Sequence, residues 1–163
     1  MKKYIFKQYN PISPKLYQKE EQRLKQILGD QYLIEHIGST AVPNLGGKGI
    51  IDIMISVPGK LMNQTSQLLQ KAGYKFSASG GDKERLFHQR DCYHVHVTFL
   101  GSESRKRAVA FRDYLIQHPK DLKQYAKIKQ KAATEANEDR DIYLAIKQPI
   151  IDEIIQKACT EFK

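Results

Sequence analysis

IEHIGSTAVPNLGGKGIIDIMISV, residues 34–57, is the stretch that decides how the rest of the chain is read. It opens with strand-like alternation and breaks at Gly38-Ser39-Thr40. It then crosses a Pro/Asn/Gly loop and passes through Lys48 into a strongly β-branched run. Successive side chains on a strand face opposite sides. Ile51, Ile53, Ile55 and Val57 therefore form one wholly apolar face, while Asp52, Met54 and Ser56 lie on the other. A carboxylate among β-formers needs water, a cation or a hydrogen-bond donor to offset its desolvation. Asp52 is thus the first candidate functional residue.

Outward from this stretch, Ser13-Pro14 reads as an N-cap with proline in the first turn of a helix over residues 14–28, stopped by Gly29. Residues 2–10 read as an edge strand or arm, and residues 32–37 and 49–57 as strands. A helix carrying Leu61, Leu68, Leu69 and Ala72 ends at Gly73. A short strand follows over residues 74–78. Residues 85–90 and 93–99 flank Asp91-Cys92 as a hairpin. Beyond Gly101 the pattern is helical, with helices over residues 103–118, from Pro119, and from Asp139. Pro149 is expected to kink or split the last of these, because its ring lacks the amide the ladder needs. No linker, repeat or low-complexity tract interrupts the chain. Residues 1–163 read as one domain, a mixed sheet with packed helices and a helical C-terminal portion, α+β or mixed α/β.

The hydrophobic fraction of 40% and charged fraction of 28% are those of an ordinary globular protein. No apolar run reaches membrane-spanning length, and Met1-Lys2-Lys3-Tyr4-Ile5-Phe6 leads into no signal-peptide core, so a cytoplasmic location is expected. Cys92 and Cys159 are far apart, which points to reduced thiols rather than a disulfide framework or zinc site. Lys and Arg total 27 against 18 Asp and Glu, a formal charge of +9. Such a field attracts phosphate-bearing partners, although Lys-rich helices also become basic for solubility alone. No recognition-helix or RNP-type motif accompanies the charge, so nucleic acid is not an expected partner.

The run Tyr93-His94-Val95-His96-Val97-Thr98-Phe99 alternates as strictly as the first. His94, His96 and Thr98 point one way. Two imidazoles at i and i+2 can share a metal with Asp52, or cradle a phosphate when protonated. Each could equally donate to a neighbouring backbone carbonyl. If the hairpin turn is Asp91-Cys92 alone, Gln89 opposes His94, Phe87 opposes His96 and Arg85 opposes Thr98. That register puts Arg85 beside the histidine row, and a one-residue slip would remove it. Gly38, Ser39 and Thr40 offer backbone amides and hydroxyls to an anion. Lys48 follows Gly46-Gly47 but is not in a P-loop: Val42 takes the place of the first glycine and a strand follows the lysine.

Glu35-His36-Ile37-Gly38-Ser39-Thr40-Ala41-Val42-Pro43 followed by Gly47-Lys48-Gly49-Ile50-Ile51-Asp52-Ile53 resembles the signature of the GrpB family. His94-x-His96, Phe111-Arg112-Asp113-Tyr114-Leu115, Tyr125 with Lys129, and Tyr143 with Lys147 resemble its later motifs in the same order. The resemblance spans nearly the whole chain. It implies the nucleotidyltransferase fold of the DNA polymerase beta superfamily. In that superfamily a Gly-Ser turn precedes Asp-x-Asp on the next strand, and two carboxylates hold the metals that neutralise a triphosphate. Gly38-Ser39 and Asp52 match, whereas the second acidic position is Met54. A thioether is a poor ligand for Mg²⁺, so His94 or His96 would complete the shell, which suits Mn²⁺ or Zn²⁺.

The expectation is a nucleotidyltransferase-like enzyme acting on a nucleotide or phosphorylated small molecule with a divalent cation. Ser39, Thr40 and Lys48 would hold phosphate, and Asp52, His94 and His96 the cation. Arg85 would stabilise anionic charge, and the resemblance has Lys129 and Lys147 close the pocket. The alternative is a catalytically reduced module that binds a nucleotide or coenzyme-like ligand or assists a partner enzyme.

Overall fold

The computed structural model describes residues 5–162, so residues 2–4 of the expected N-terminal strand or arm lie outside the described residues. Helix α1 spans Ser13–Leu28 and α2 Met62–Lys71, and α3, α4 and α5 span Glu103–Gln117, Pro119–Glu135 and Arg140–Glu161. The strands are β1 (Leu33–Ile37), β2 (Ile51–Val57), β3 (Lys75–Phe76), β4 (Arg85–Arg90) and β5 (Tyr93–Phe99). They form one sheet in the order β1-β2-β5-β4-β3, in which only the β2–β5 pairing is parallel. This is the mixed α+β architecture expected from the sequence.

Register follows the alternation. Asp52 lies between Ile37 and His94, and Met54 between Glu35 and His96. Across the β4–β5 hairpin Gln89 opposes His94, Phe87 opposes His96 and Arg85 opposes Thr98, as the two-residue turn predicts. Asp91 takes the positive φ of 52° that so short a turn requires. One face of the sheet is thereby apolar. Ile51, Ile53, Ile55, Val57, Val95 and Val97 are fully buried on it with Leu24 and Leu28 of α1 and Leu69 of α2. Helices α3 to α5 build a second core, in which Tyr114, Leu115, Ile150, Ile154 and Ala158 meet Val42 and Leu45 of the loop before β2. Their inner side roofs the polar face of the sheet.

Three local expectations are corrected and one is narrowed. Ser13 is the first residue of α1 rather than its cap; Ile12 stands at the cap, and its amide donates to Asn10 Oδ1 at 3.1 Å. The N-terminal segment, read as an edge strand or an arm, takes the second form in its described part, with an isolated bridge between Lys7 and Gly47. The strand after Gly73 is two residues long, because Ala78–Gly80 turns into a short 3-10 helix. Helix α5 is not split at Pro149 but continues through it. Ile150 and Ile154, 4% and 0% exposed, hold it against α3 and α4, outweighing the single ladder bond a proline removes.

Candidate functional site

The end of β1 and the middle of β2 meet at Asp52. Gly38 follows β1 with φ 72°, and a Cβ there would lie 2.5 Å from Asp52 Oδ2. Glycine is therefore required twice over, for the backbone turn and for the closeness of the carboxylate. Ser39–Ala41 forms one 3-10 turn beyond it. From β5, His94 brings Nδ1 within 3.4 Å of Asp52 Oδ1, and His96 brings Nε2 within 3.6 Å of the same oxygen. Burial raises the carboxyl's pKa, but the two imidazoles beside it outweigh that effect and hold it well below the usual carboxylate range.

A cavity of about 300 Å³ opens above this carboxylate, between the sheet and helices α3 to α5. Gly38, Ser39, Lys48, Asp52 and His94 line its floor side, and Phe111, Tyr125, Lys129, Arg140, Tyr143 and Lys147 its helical side. Lys129 is 4% exposed, and its Nζ donates to Gly46 O at 2.6 Å. A Cβ at position 47 would lie 2.7 Å from both Lys129 Nζ and Ser39 Oγ, so the glycine lets these two side chains sit close against the loop. Burial, with the charge of Lys147, lowers the Lys129 ammonium to about 7 against the pull of Asp52. Burial and Lys48 lower Lys147 to about 8. Lys48 and Lys147 lie 5.0 and 4.3 Å from the centre of the Tyr143 ring, whose π-face gathers both ammonium groups.

Seven of the ten residues expected from the sequence line this cavity directly: Gly38, Ser39, Lys48, Asp52, His94, Lys129 and Lys147. Three stand elsewhere. His96 pairs with Asp52 from an adjoining groove, which Arg85 also lines. Thr40 is 6% exposed and turned away; its hydroxyl donates to Ile50 O at 2.9 Å and contacts His36 Nε2 at 3.0 Å. It braces the turn rather than facing the cavity. Glu35 shares the polar face but is held by Arg105 of α3 in two bonds of 2.6 and 2.8 Å. Arg140, at the first position of α5, was not singled out by any motif.

Among the described residues, no group of three or more His, Cys, Asp or Glu side chains is arranged as a ready-made metal cage. The donor set is instead an open one, a single carboxylate with two imidazoles at its edge. Such a set would leave most of a cation's ligands to phosphate oxygens and water, and its imidazoles suit Mn²⁺ or Zn²⁺ better than Mg²⁺.

Over residues 4–157 the chain matches the family model described as GrpB protein. A UPF0157 protein of Halalkalibacterium halodurans is 34% identical over 157 residues, covering 93% of this chain and 80% of that one. The crystal structure of conserved protein GrpB from Enterococcus faecalis has a TM-score of 0.87 at 30% identity, over 97% of this chain and 99% of that chain. The structure of the GLD-2/RNP-8 complex is similar in fold alone, with a TM-score of 0.57 at 11% identity, over 84% of this chain and 58% of that one. The chain spans from 41% to 88% of the length of the curated relatives it matches. Its fold is nucleotidyltransferase-like. With the family model matched over nearly its whole length, the chain belongs to the GrpB family.

Proposed function

We propose that this chain is a nucleotidyltransferase-like enzyme whose lysine-lined cavity binds the phosphates of a nucleotide or another phosphorylated small molecule. One observation carries the reading. Four basic side chains, Lys48, Lys129, Arg140 and Lys147, surround a single carboxylate in a small cavity. Holding Lys129 and Lys147 charged in this desolvated place is costly until an anion offsets them, which is why burial and neighbouring cations lower both ammonium groups. A polyphosphate is the anion of matching charge, and Gly38-Ser39 adds an amide and a hydroxyl to its cradle. Asp52, kept ionised by His94 and His96, sits at the floor, where charge shifts during transfer. A divalent cation, Mg²⁺ or Mn²⁺ or, with more imidazole character, Zn²⁺, would be held by Asp52 with His94 and His96 and would neutralise phosphate charge.

Met54 favours a second reading. It is fully buried at the position where the superfamily places its second carboxylate, and a thioether offers a hard cation little. On that reading the same cavity binds its nucleotide or coenzyme-like ligand without transferring it, or serves a partner enzyme.

The test incubates the protein with Mn²⁺ and a panel of labelled nucleoside triphosphates, and follows both label transfer and melting temperature. Transfer that is lost in Asp52→Asn is the expected result. A melting shift without turnover moves the assignment to the second reading. Neither shift nor turnover contradicts both.

A further inference from the structure

Asp52 borders two cavities. Besides the lysine pocket it lines a larger groove of about 950 Å³, walled by α3 and α5 and by the start of the β4–β5 hairpin. His94 lines the first cavity and His96 the second, and both approach the same Asp52 oxygen. Gly38, Phe111, Leu144 and Lys147 border both spaces. Two ligands seated in them would meet at one carboxylate, as a donor and an acceptor must.

The groove differs in chemistry from the pocket. Four basic side chains (Lys83, Arg85, Arg107 and Lys147) are matched there by four acidic ones (Asp52, Asp82, Glu84 and Glu103). A lining that balances in charge gives no hold on a phosphate backbone, which excludes a nucleic-acid strand as the favoured occupant. Ile37, Ala108, Ile151 and Ile155 supply an apolar wall instead. His96 and Arg85, which line it, each carry a buried nitrogen, Nδ1 and Nε, with no hydrogen-bond partner among the described residues, and such atoms cost stability.

Resting on the pocket reading above, we propose that this groove holds the acceptor of the transfer, an uncharged hydroxyl-bearing small molecule with an apolar body. The acceptor's hydroxyl oxygen bonds to the α-phosphorus of a nucleoside triphosphate in the lysine pocket. That phosphorus parts from its bridging oxygen, pyrophosphate leaves with the electron pair, and the hydroxyl proton is released to solvent.

Linear 1,2-diols from butanediol to octanediol, titrated by NMR with and without ATP, test the assignment. Affinity should rise by up to about fourfold per added methylene, the equivalent of about 0.8 kcal/mol for each one buried. Ala108→Trp, which fills the groove and leaves the lysine pocket untouched, should abolish that rise while the ATP-induced melting shift persists. Ile155→Gln, at a half-buried position, should weaken it in the same sense and serves if the first variant does not fold. Diol affinity that is flat with chain length, or a rise unchanged in either variant, overturns the groove assignment while an intact ATP shift leaves the pocket standing. Absence of any ATP shift in the unaltered protein removes the pocket reading, and the acceptor role with it.

Discussion

Beneath α1 and α2 the sheet buries Ile51, Ile53, Ile55, Val57, Val95 and Val97 at 0% exposure; beneath α3 to α5 the same two strands turn Asp52, His94 and His96 toward cavities. Both sides bury charge, on different terms. Glu20 of α1, 2% exposed, accepts from the Tyr74 hydroxyl and lies 3.3 Å from Arg90, so its charge is answered within the protein. Lys129 of α4, 4% exposed, donates only to a neutral carbonyl and forms no ion pair among the described residues. A buried charge compensated internally is part of the scaffold. One left to be answered from outside marks a binding site.

Substitutions on the two sides should therefore separate stability from binding. The largest effect belongs to Ile53→Ala, which opens a void in the fully buried face and should cost about 2–5 kcal/mol in denaturant unfolding, with phosphate affinity unchanged. Glu20→Ala strands the Tyr74 hydroxyl and Arg90 and should cost about 2–3 kcal/mol by the same measurement, again without effect on binding. Lys129→Met should invert the pattern. Stability should change by no more than about 1 kcal/mol, because a desolvated amine is replaced by a side chain of similar length, while ATP affinity should fall about tenfold. Equal stability losses on both sides would erase the distinction.

A dependence on pH separates the two sides as well. Unfolded lysines keep their protons to about pH 10. Folded Lys129 and Lys147 release theirs near 7 and 8. Between those limits the unfolded chain binds more protons, so the unliganded protein should gain stability as pH rises from 7 to 10. The gain should be at most about 1.4 kcal/mol per pH unit for each lysine. Phosphate affinity should fall across the same window, because the charge that holds the anion is being lost. Thermal melts and binding isotherms over this range measure the two trends, and parallel slopes would contradict the comparison.

Strict period-two alternation made the sheet and its chemical face legible in the sequence. It set Asp52, His94 and His96 on one side, and the two-residue turn at Asp91-Cys92 fixed the hairpin register that brought Arg85 into their row. Alternation carries no information on how a face is roofed, and so did not show that α3 and α5 divide it into a pocket and a groove. Thr40 was beyond it too, because a single 3-10 turn rotates that hydroxyl toward the Ile50 carbonyl. Arg140 reaches the pocket through the packing of α5, for which local pattern gives no signal. Glu20 could have been found: four residues after Leu16 and four before Leu24, it interrupts the buried stripe of α1.

Proton uptake on binding tests the central claim most directly. At pH 8, ATP is titrated calorimetrically in two buffers of different ionisation enthalpy. If lysines with lowered pKa receive the phosphates, the complex should take up about one proton, and a double Lys129→Met, Lys147→Met variant should take up none. Binding with no proton uptake in the unaltered protein, or uptake that survives in the double variant, would contradict the account.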